Sequence, residues 1–327
     1  VTKRNLIIIH RGPDYQRDFD EISDKVLALD GNISIYIAPP AIRGELPPAM
    51  WERPTLTVAL LAKHNINIRR GPVLMNRAVE KLAQQELFRK HGIPTPPAMP
   101  FKFGMTVDPL LFGDFVILKP MDLQQTSKGD GVHLIRRRRL HEKEISDFPA
   151  NHPLQKAHSG YLVQRFVDTG EYPSFYRIQT FLGKAIYAWH STLTIPRCPL
   201  TASDEEIEAT VIASQGGQKT RQLISDPDII VLGERVHAAF PHIPMLAVDC
   251  IKDANSGKLY ILECNAGGNT WHFSSPIGEK LRLGFGNSAV NGPKKANEIA
   301  RQMFIDQFGA FDIVARQLVS ATHNLAA

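Results

Sequence analysis

Residues 245–265 read Met-Leu-Ala-Val-Asp-Cys-Ile-Lys-Asp-Ala-Asn-Ser-Gly-Lys-Leu-Tyr-Ile-Leu-Glu-Cys-Asn. Two apolar runs flank Asn255-Ser256-Gly257, residue types that favour a tight reversal, so a β-hairpin is expected between 245–252 and 258–264. Such a hairpin brings Asp249 beside the end of the second strand, and the two-residue period of a strand puts Glu263 and Asn265 on one face. Two carboxylates and an amide oxygen, with no histidine or thiolate among them, form a hard oxygen set. That set suits magnesium held together with nucleotide phosphates. Read alone, solvated acids at a hairpin end account for the same residues.

Outward from the hairpin, residues 226–240 form a helix candidate opened by Asp-Pro. Before it, residues 115–119, 132–136, 161–167, 176–181 and 185–190 read as strands separated by polar loops. Lys119 closes the first of these and precedes the turn Thr126-Ser127-Lys128-Gly129-Asp130-Gly131. A lysine at a strand end can pair with phosphate oxygens, and a Gly/Ser/Thr turn can aim N–H groups at them. An ordinary hairpin loop explains Gly129 and Gly131 as well. The chain contains neither GxxxxGK[ST] nor GxGxxG. In Tyr161-Leu-Val-Gln164-Arg165-Phe-Val167 an extended segment can offer backbone groups to a purine edge, and Glu171 can accept from ribose hydroxyls. Otherwise this is a strand followed by a surface glutamate. Lys81 stands on a helix expected over 77–91, which Gly92 and the following Ile-Pro-Thr-Pro terminate. By itself it reads as a solvated lysine.

The first 75 residues alternate apolar runs (6–9, 33–37, 56–62) with a helical stretch at 18–29, a small α/β unit. Prolines 39, 40, 47, 48 and 54 mark an irregular loop, and a domain boundary is expected near residue 75. The 327 residues are 43% hydrophobic, enough for a sizeable core without staples. Three cysteines with no CxxC pair argue against a disulfide framework or a structural zinc site and fit a reducing cytoplasm. No apolar run approaches the roughly 18 residues of a membrane span. The net charge is +5. The basic run Arg136–Arg139 lacks interleaved aromatics, so a solvated strand end is expected there and nucleic-acid binding is not.

The order and spacing of these elements resemble the ATP-grasp superfamily over about residues 76–275, in particular carboxylate–amine ligases of the D-alanine:D-alanine ligase and glutathione synthetase type. Lys81 stands eleven residues before Gly92, as the first phosphate-binding lysine does in the D-alanine ligases. Lys119 in Leu-Lys-Pro is similar to the second lysine, and Ser127, Gly129 and Gly131 to the glycine-rich loop. The resemblance implies an adenine edge at Gln164, Arg165 and Val167, a ribose contact at Glu171, and Arg177 facing the transferred phosphate or the substrate. It implies metal ligation by Asp249, Glu263 and Asn265.

The implied fold is α/β (α+β): an N-terminal α/β domain over 1–75 and an ATP-grasp domain over 76–327, with a β-rich lid at about 112–165. The implied cofactors are ATP and Mg2+, two ions, with Mn2+ as a substitute. The implied reaction activates a small carboxylate as an acyl phosphate for an amine and releases ADP and phosphate, with Arg177, Lys119 and Gly268 as the catalytic groups. The Gly267-Gly268 backbone is either an oxyanion donor or a plain turn. Trp271, His272 and Phe273 either line the acceptor site or belong to the core. No metal-ligand spacing surrounds His190 or His272. A homodimer is compatible with this reading, and the alternatives are an ATP-holding regulatory protein and an ATP-grasp kinase.

Departures from the family pattern are Gln164 in place of an acid, a longer loop after Lys119, Ala213-Ser-Gln-Gly-Gly217 where relatives carry asparagine, and Ala247 where an arginine is common. Gln164 is expected to change little, because its side chain still offers an acceptor oxygen.

Overall fold

The computed structural model describes residues 2–38, 46–121, 131–157, 160–212, 218–266 and 271–327. Three sheets organise them. Strands β1 (Arg4–Ile9), β2 (Ile33–Ala38), β3 (Thr55–Ala59) and β4 (Val73–Met75) pair in parallel in the order β2-β1-β3-β4. Helix α1 (Gln16–Leu29) makes the crossover between β1 and β2 that parallel pairing requires. Leu6, Ile7, Ile8 and Ile9 are all fully buried, the continuous apolar run of a strand covered on both faces.

The segment from residue 76 to 80 is non-helical, and helix α2 (Lys81–Lys90) starts four residues later than its propensity suggested. The cause is tertiary. Asn76 N–H donates to the Ala59 carbonyl, and its side-chain oxygen accepts from Met245 N–H, so this stretch bridges two sheets and cannot wind.

A second, antiparallel sheet is built from β5 (Ala98–Phe101), β6 (Phe115–Pro120), β7 (His133–Arg136) and β8 (Tyr161–Arg165) in the order β5-β8-β6-β7. Its edge strand β5 lies before residue 112. The short helix α3 (Pro109–Phe112) leads into β6, where Val116 and Leu118 point into a core with Ile135 and Val163. Ile117 and Lys119 take the opposite face.

The third sheet holds β9 (Ser174–Phe181), β10 (Lys184–Leu193), β11 (Lys219–Leu223), β12 (Met245–Lys252) and β13 (Leu259–Ala266), antiparallel in the order β11-β10-β9-β12-β13. Between β10 and β11 runs α4 (Asp204–Ala209), and α5 (Pro227–Ala238) precedes β12. Ile178, Ala188, Leu246 and Val248 pack with Phe88 of α2 and Val236 of α5. Helices α6 (Pro276–Phe285), α7 (Ser288–Asn291), α8 (Pro293–Asp306) and α9 (Ala310–Leu325) complete the chain.

An α/β chain with three sheets of this kind is the expected fold class, and it is consistent with the ATP-grasp fold. Trp271 and Phe273, offered above as either acceptor lining or core, belong to the core. Both are fully buried, Trp271 stacks on Phe19 at 4.8 Å, and its indole N–H donates to Asp18 at 2.9 Å. Burying one such side chain contributes roughly 1.5–3 kcal/mol.

Nor is the arginine run a solvated strand end. Arg136, Arg138 and Arg139 converge on Asp204 at 2.7, 3.0 and 3.1 Å, stapling β7 to α4. A cavity of about 500 Å3, lined in part by Arg136, Arg137, Arg138 and Leu200, lies beside this staple. All three cysteines are free. Among the described residues no helix is long and apolar enough to cross a membrane.

Candidate active site

The hairpin forms as expected, and its register contains an irregularity on which the site depends. Lys252 pairs with Leu259, Ile251 with Tyr260 and Cys250 with Ile261, but Asp249 pairs with Glu263. Leu262 is therefore an extra residue, a β-bulge on β13. Residues directly opposed across an antiparallel pair point to the same side, so the bulge puts Asp249 and Glu263 on one face. Without it Asp249 would oppose Leu262, and Glu263 would turn to the α5 side. Ala247 opposes Asn265, which places the amide on the same face. Asn265 Nδ2 lies 3.5 Å from Asp249 Oδ2 and 3.4 Å from Glu263 Oε1.

Asp249 is also opposed by Arg177 on β9. Arg177 Nε and Nη2 donate to its two carboxylate oxygens, both at 2.6 Å, the bidentate geometry of an ionised pair. Burial works against the Arg177 charge, but Asp249 and then Glu263 hold its pKa above the ordinary arginine value. Burial pushes the Asp249 carboxyl up, and Arg177 offsets part of that push. On the next strand Trp189 opposes Arg177, with the guanidinium carbon 5.8 Å from its ring centre. Tyr187, two residues away, meets His272 Nδ1 at 2.7 Å. Burial holds the Tyr187 phenol well above its usual range, against the pull of Arg177, the His272 hydrogen bond and Arg282.

The second sheet supplies the facing groups. Ile117 opposes Gln164 and Lys119 opposes Leu162, so Lys119 and Gln164 are diagonal neighbours. Lys119 Nζ donates to Gln164 Oε1 at 2.9 Å. Burial lowers the Lys119 pKa and the Glu263 carboxylate opposes that shift, so the lysine of one sheet feels the acid of another. Lys81, 7% exposed, is not a solvated helix lysine: it opens α2, and its Nζ donates to the Pro120 carbonyl at 3.2 Å.

Hydrogen bonds, an ion pair and charge effects thus link Lys119, Gln164, Arg177, Asp249, Glu263 and Asn265, and Lys81 reaches the carbonyl of Pro120, next to Lys119. Arg165 is exposed, Val167 is buried just past β8, and Glu171 is exposed with its backbone carbonyl accepting from Arg197 N–H. Gly131 has φ +77°, and an added Cβ would meet Pro153 Cβ at 2.9 Å, so glycine is required there. Ser127, Gly129, Gly267 and Gly268 lie outside the described residues.

Two residues escaped the reading from sequence. Gln84 of α2 bonds both backbone atoms of Cys264, which stands between Glu263 and Asn265. Arg221 of β11 opposes Ser191 and shares the face of Trp189 and Arg177. Burial and the Arg177 charge both lower its pKa. No local motif announces either residue, since both act through pairings distant in sequence.

The donor set fits a hard divalent cation. Asp249, Glu263 and Asn265 are oxygen ligands brought to one face, and an amide nitrogen now stands between the two carboxylates. Among the described residues no group of three or more His, Cys, Asp or Glu that could hold a metal ion is gathered, so the third donor here is the amide of Asn265. For a base, the telling atom is Gln164 Nε2: the residue is 2% exposed, and this nitrogen has no hydrogen-bond partner among the described residues. A buried donor without an acceptor costs about 1–3 kcal/mol, and a ligand acceptor would remove that cost.

No family model and no curated sequence matches this chain. Among solved structures, it is similar to a D-alanine–D-alanine ligase from Bacillus anthracis at 11% identity and a TM-score of 0.43, covering 97% of this chain and 99% of that one. It is also similar to the ATP-grasp ligase PsnB complexed with a minimal precursor, at 14% identity and a TM-score of 0.44, covering 84% and 96% of the two chains. A third likeness is to the macrocyclase MdnC bound with precursor peptide MdnA from Microcystis aeruginosa, at 8% identity and a TM-score of 0.45, covering 92% and 99%. Identities and scores this low leave the chemistry of the site to its own residues.

Proposed function

We propose that this chain is an ATP- and magnesium-dependent ligase of the ATP-grasp type, which activates a small carboxylate as an acyl phosphate for attack by an amine. The observation that carries this reading is the bulged hairpin that sets Asp249 and Glu263 on one face, beside Arg177 and under Lys119 of the neighbouring sheet. In this reading residues 1–75 form an N-terminal domain and 76–327 the ATP-grasp domain, with 112–165 as lid. The protein works in the cytoplasm, where its free thiols are at home.

Asp249, Glu263 and Asn265 would hold magnesium, which when bound neutralises phosphate charge. Lys81 and Lys119 counter the negative charge of the nucleotide phosphates. Gln164 turns its unpartnered Nε2 toward an acceptor nitrogen of the base. Arg177 donates to oxygens that gain charge as the substrate carboxylate attacks the γ-phosphorus, and such donors act most strongly in a site that excludes water. The bond from the γ-phosphorus to its bridging oxygen breaks as the new phosphorus–oxygen bond forms. ADP leaves, and amine attack on the acyl phosphate then expels inorganic phosphate.

The test is ATP turnover with a panel of amino acids and small carboxylic acids, with hydroxylamine present to intercept the acyl phosphate. ADP with a hydroxamate is the expected product pair, and Glu263→Ala should abolish it with the fold intact. AMP as product removes the reading. A phosphorylated alcohol without a trappable acyl group leaves a kinase, and tight ATP binding without turnover leaves a nucleotide-holding protein.

A further inference from the structure

We infer that the carboxylate substrate carries a second carboxylate, and that Arg221 on β11 binds it. This deepens the ligase reading above and rests on it. The strand order lays the charged groups out in a row across one face of the third sheet. Glu263 on β13 comes first, then Asp249 on β12, Arg177 on β9 and, beyond Trp189 on β10, Arg221 on β11. The metal-binding oxygens and Lys119 lie at the Glu263 end, which is therefore the end for the nucleotide phosphates. A carboxylate activated beside Arg177 has the rest of its molecule pointing the other way, toward Arg221. Two strand spacings, about 10 Å between backbones, separate Arg177 from β11, and two arginine side chains close much of that gap.

Arg221 is half-buried and forms no hydrogen bond or ion pair among the described residues. Its neighbour on the face is another cation, Arg177, whose Nε and Nη2 already bond Asp249. The like charge and burial both disfavour Arg221 as it stands. Its Nη1 faces α6 at Gly284, 3.9 Å from where a side chain there would begin, so this glycine leaves ordinary van der Waals room beside the guanidinium. The region beyond Arg177 thus holds an arginine without a bonded carboxylate among the described residues. A planar carboxylate is the group that satisfies an arginine fork bidentately and cancels the repulsion between neighbouring guanidinium groups. A nucleotide phosphate would satisfy it too, but the phosphates belong at the opposite end of the row.

Isosteric pairs of acids test this: glutarate against its monoamide glutaramate, and glutamate against glutamine. Binding is measured by calorimetry without nucleotide or metal, and turnover by ADP release and hydroxamate formation. The expected result is at least tenfold tighter binding of the dicarboxylate, with KM for glutarate or glutamate rising at least tenfold in Arg221→Gln while kcat stays within threefold. Arg221→Lys should keep part of the preference. Arg138→Gln, which removes the same charge at the distant staple, should keep all of it. Equal binding of mono- and dicarboxylates, or a preference that survives Arg221→Gln, overturns the inference while hydroxamate formation leaves the ligase reading standing. If no acid yields hydroxamate and none binds, both fall together.

Discussion

Gln84 grips Cys264 by both of its backbone atoms, donating Nε2–H to the carbonyl and accepting the N–H on Oε1, each at 2.9 Å. Cys264 belongs to β13, an edge strand, and the amide of Gln84 stands in for the neighbouring strand that β13 lacks. The residues on either side are Glu263 and Asn265. Gln84→Leu leaves a buried N–H and carbonyl unpaired, at about 1–3 kcal/mol each. Beyond the lower urea midpoint, we expect the magnesium concentration for half-maximal turnover to rise several-fold while ATP affinity changes little. A variant that loses stability but keeps its magnesium dependence would show that the grip serves folding only.

Arg177 and Asp249 should be strongly coupled. Removing the arginine alone leaves a buried carboxylate without its partner, a loss of about 3–5 kcal/mol, whereas Arg177→Ala with Asp249→Asn removes the stranded charge and should recover part of it. Turnover should fall in both, far more than ATP affinity, because the arginine acts on charge that develops during transfer. Additive unfolding energies would mean the pair is not the ionised one described.

Gln164→Leu removes the buried donor and also strips Lys119 of its hydrogen bond. We expect ATP to bind at least tenfold more weakly, with GTP binding changing less. Gln164→Glu keeps an acceptor for Lys119 but loses the donor, so it should fall between. Unchanged ATP binding in Gln164→Leu would put the base elsewhere.

Acid should destabilise the fold through His237. The residue is 3% exposed, its Nε2–H donates to the Ile243 carbonyl at 2.8 Å, and Nδ1 meets Thr180 Oγ1 at 2.6 Å. Burial lowers its pKa from 6.5 to about 4. Between those values the unfolded chain binds the proton and the folded one does not, so this stability is complete above pH 6.5 and is lost as pH falls toward 4. The full span is about 3 kcal/mol. Urea midpoints from pH 7 to 4.5 should fall less steeply in His237→Gln. A residual slope is expected from His133, also held to about 4 by burial and by His152. Parallel slopes in the two proteins would count against His237.

What was legible in the sequence was local. The hairpin, its turn and the pairing of Glu263 with Asn265 follow from alternation and turn chemistry within twenty residues. The face of Asp249 does not, because nothing in Tyr260-Ile-Leu-Glu263 marks Leu262 as the extra residue. Lys81 reads as solvated from its own segment alone because its acceptor, the Pro120 carbonyl, is contributed by another strand. Gln84 and Arg221 were passed over because an amide on a helix and an arginine on an edge strand acquire meaning only from partners elsewhere in the chain. The same holds for Arg136, Arg138 and Arg139, whose common partner Asp204 lies 65 or more residues away. Arg165 and Glu171 match the family pattern in spacing, yet each stands exposed beside the gathered group.

The extra residue at Leu262 governs how this hairpin can change length without turning its acid away. Everything beyond it, from Cys250 round the turn to Ile261, pairs regularly. Trimming one residue from each arm of that distal loop removes a rung and leaves the orientation of Glu263 as it was. Deleting Leu262 alone also leaves Glu263 opposite Asp249, because the ladder then runs regularly from Cys250–Ile261 to Asp249–Glu263. The bulge is thus a slack residue: β13 can lose one residue there and keep its acid on the face of Asp249, whereas drawing Leu262 into the ladder opposite Asp249 turns Glu263 to the α5 side.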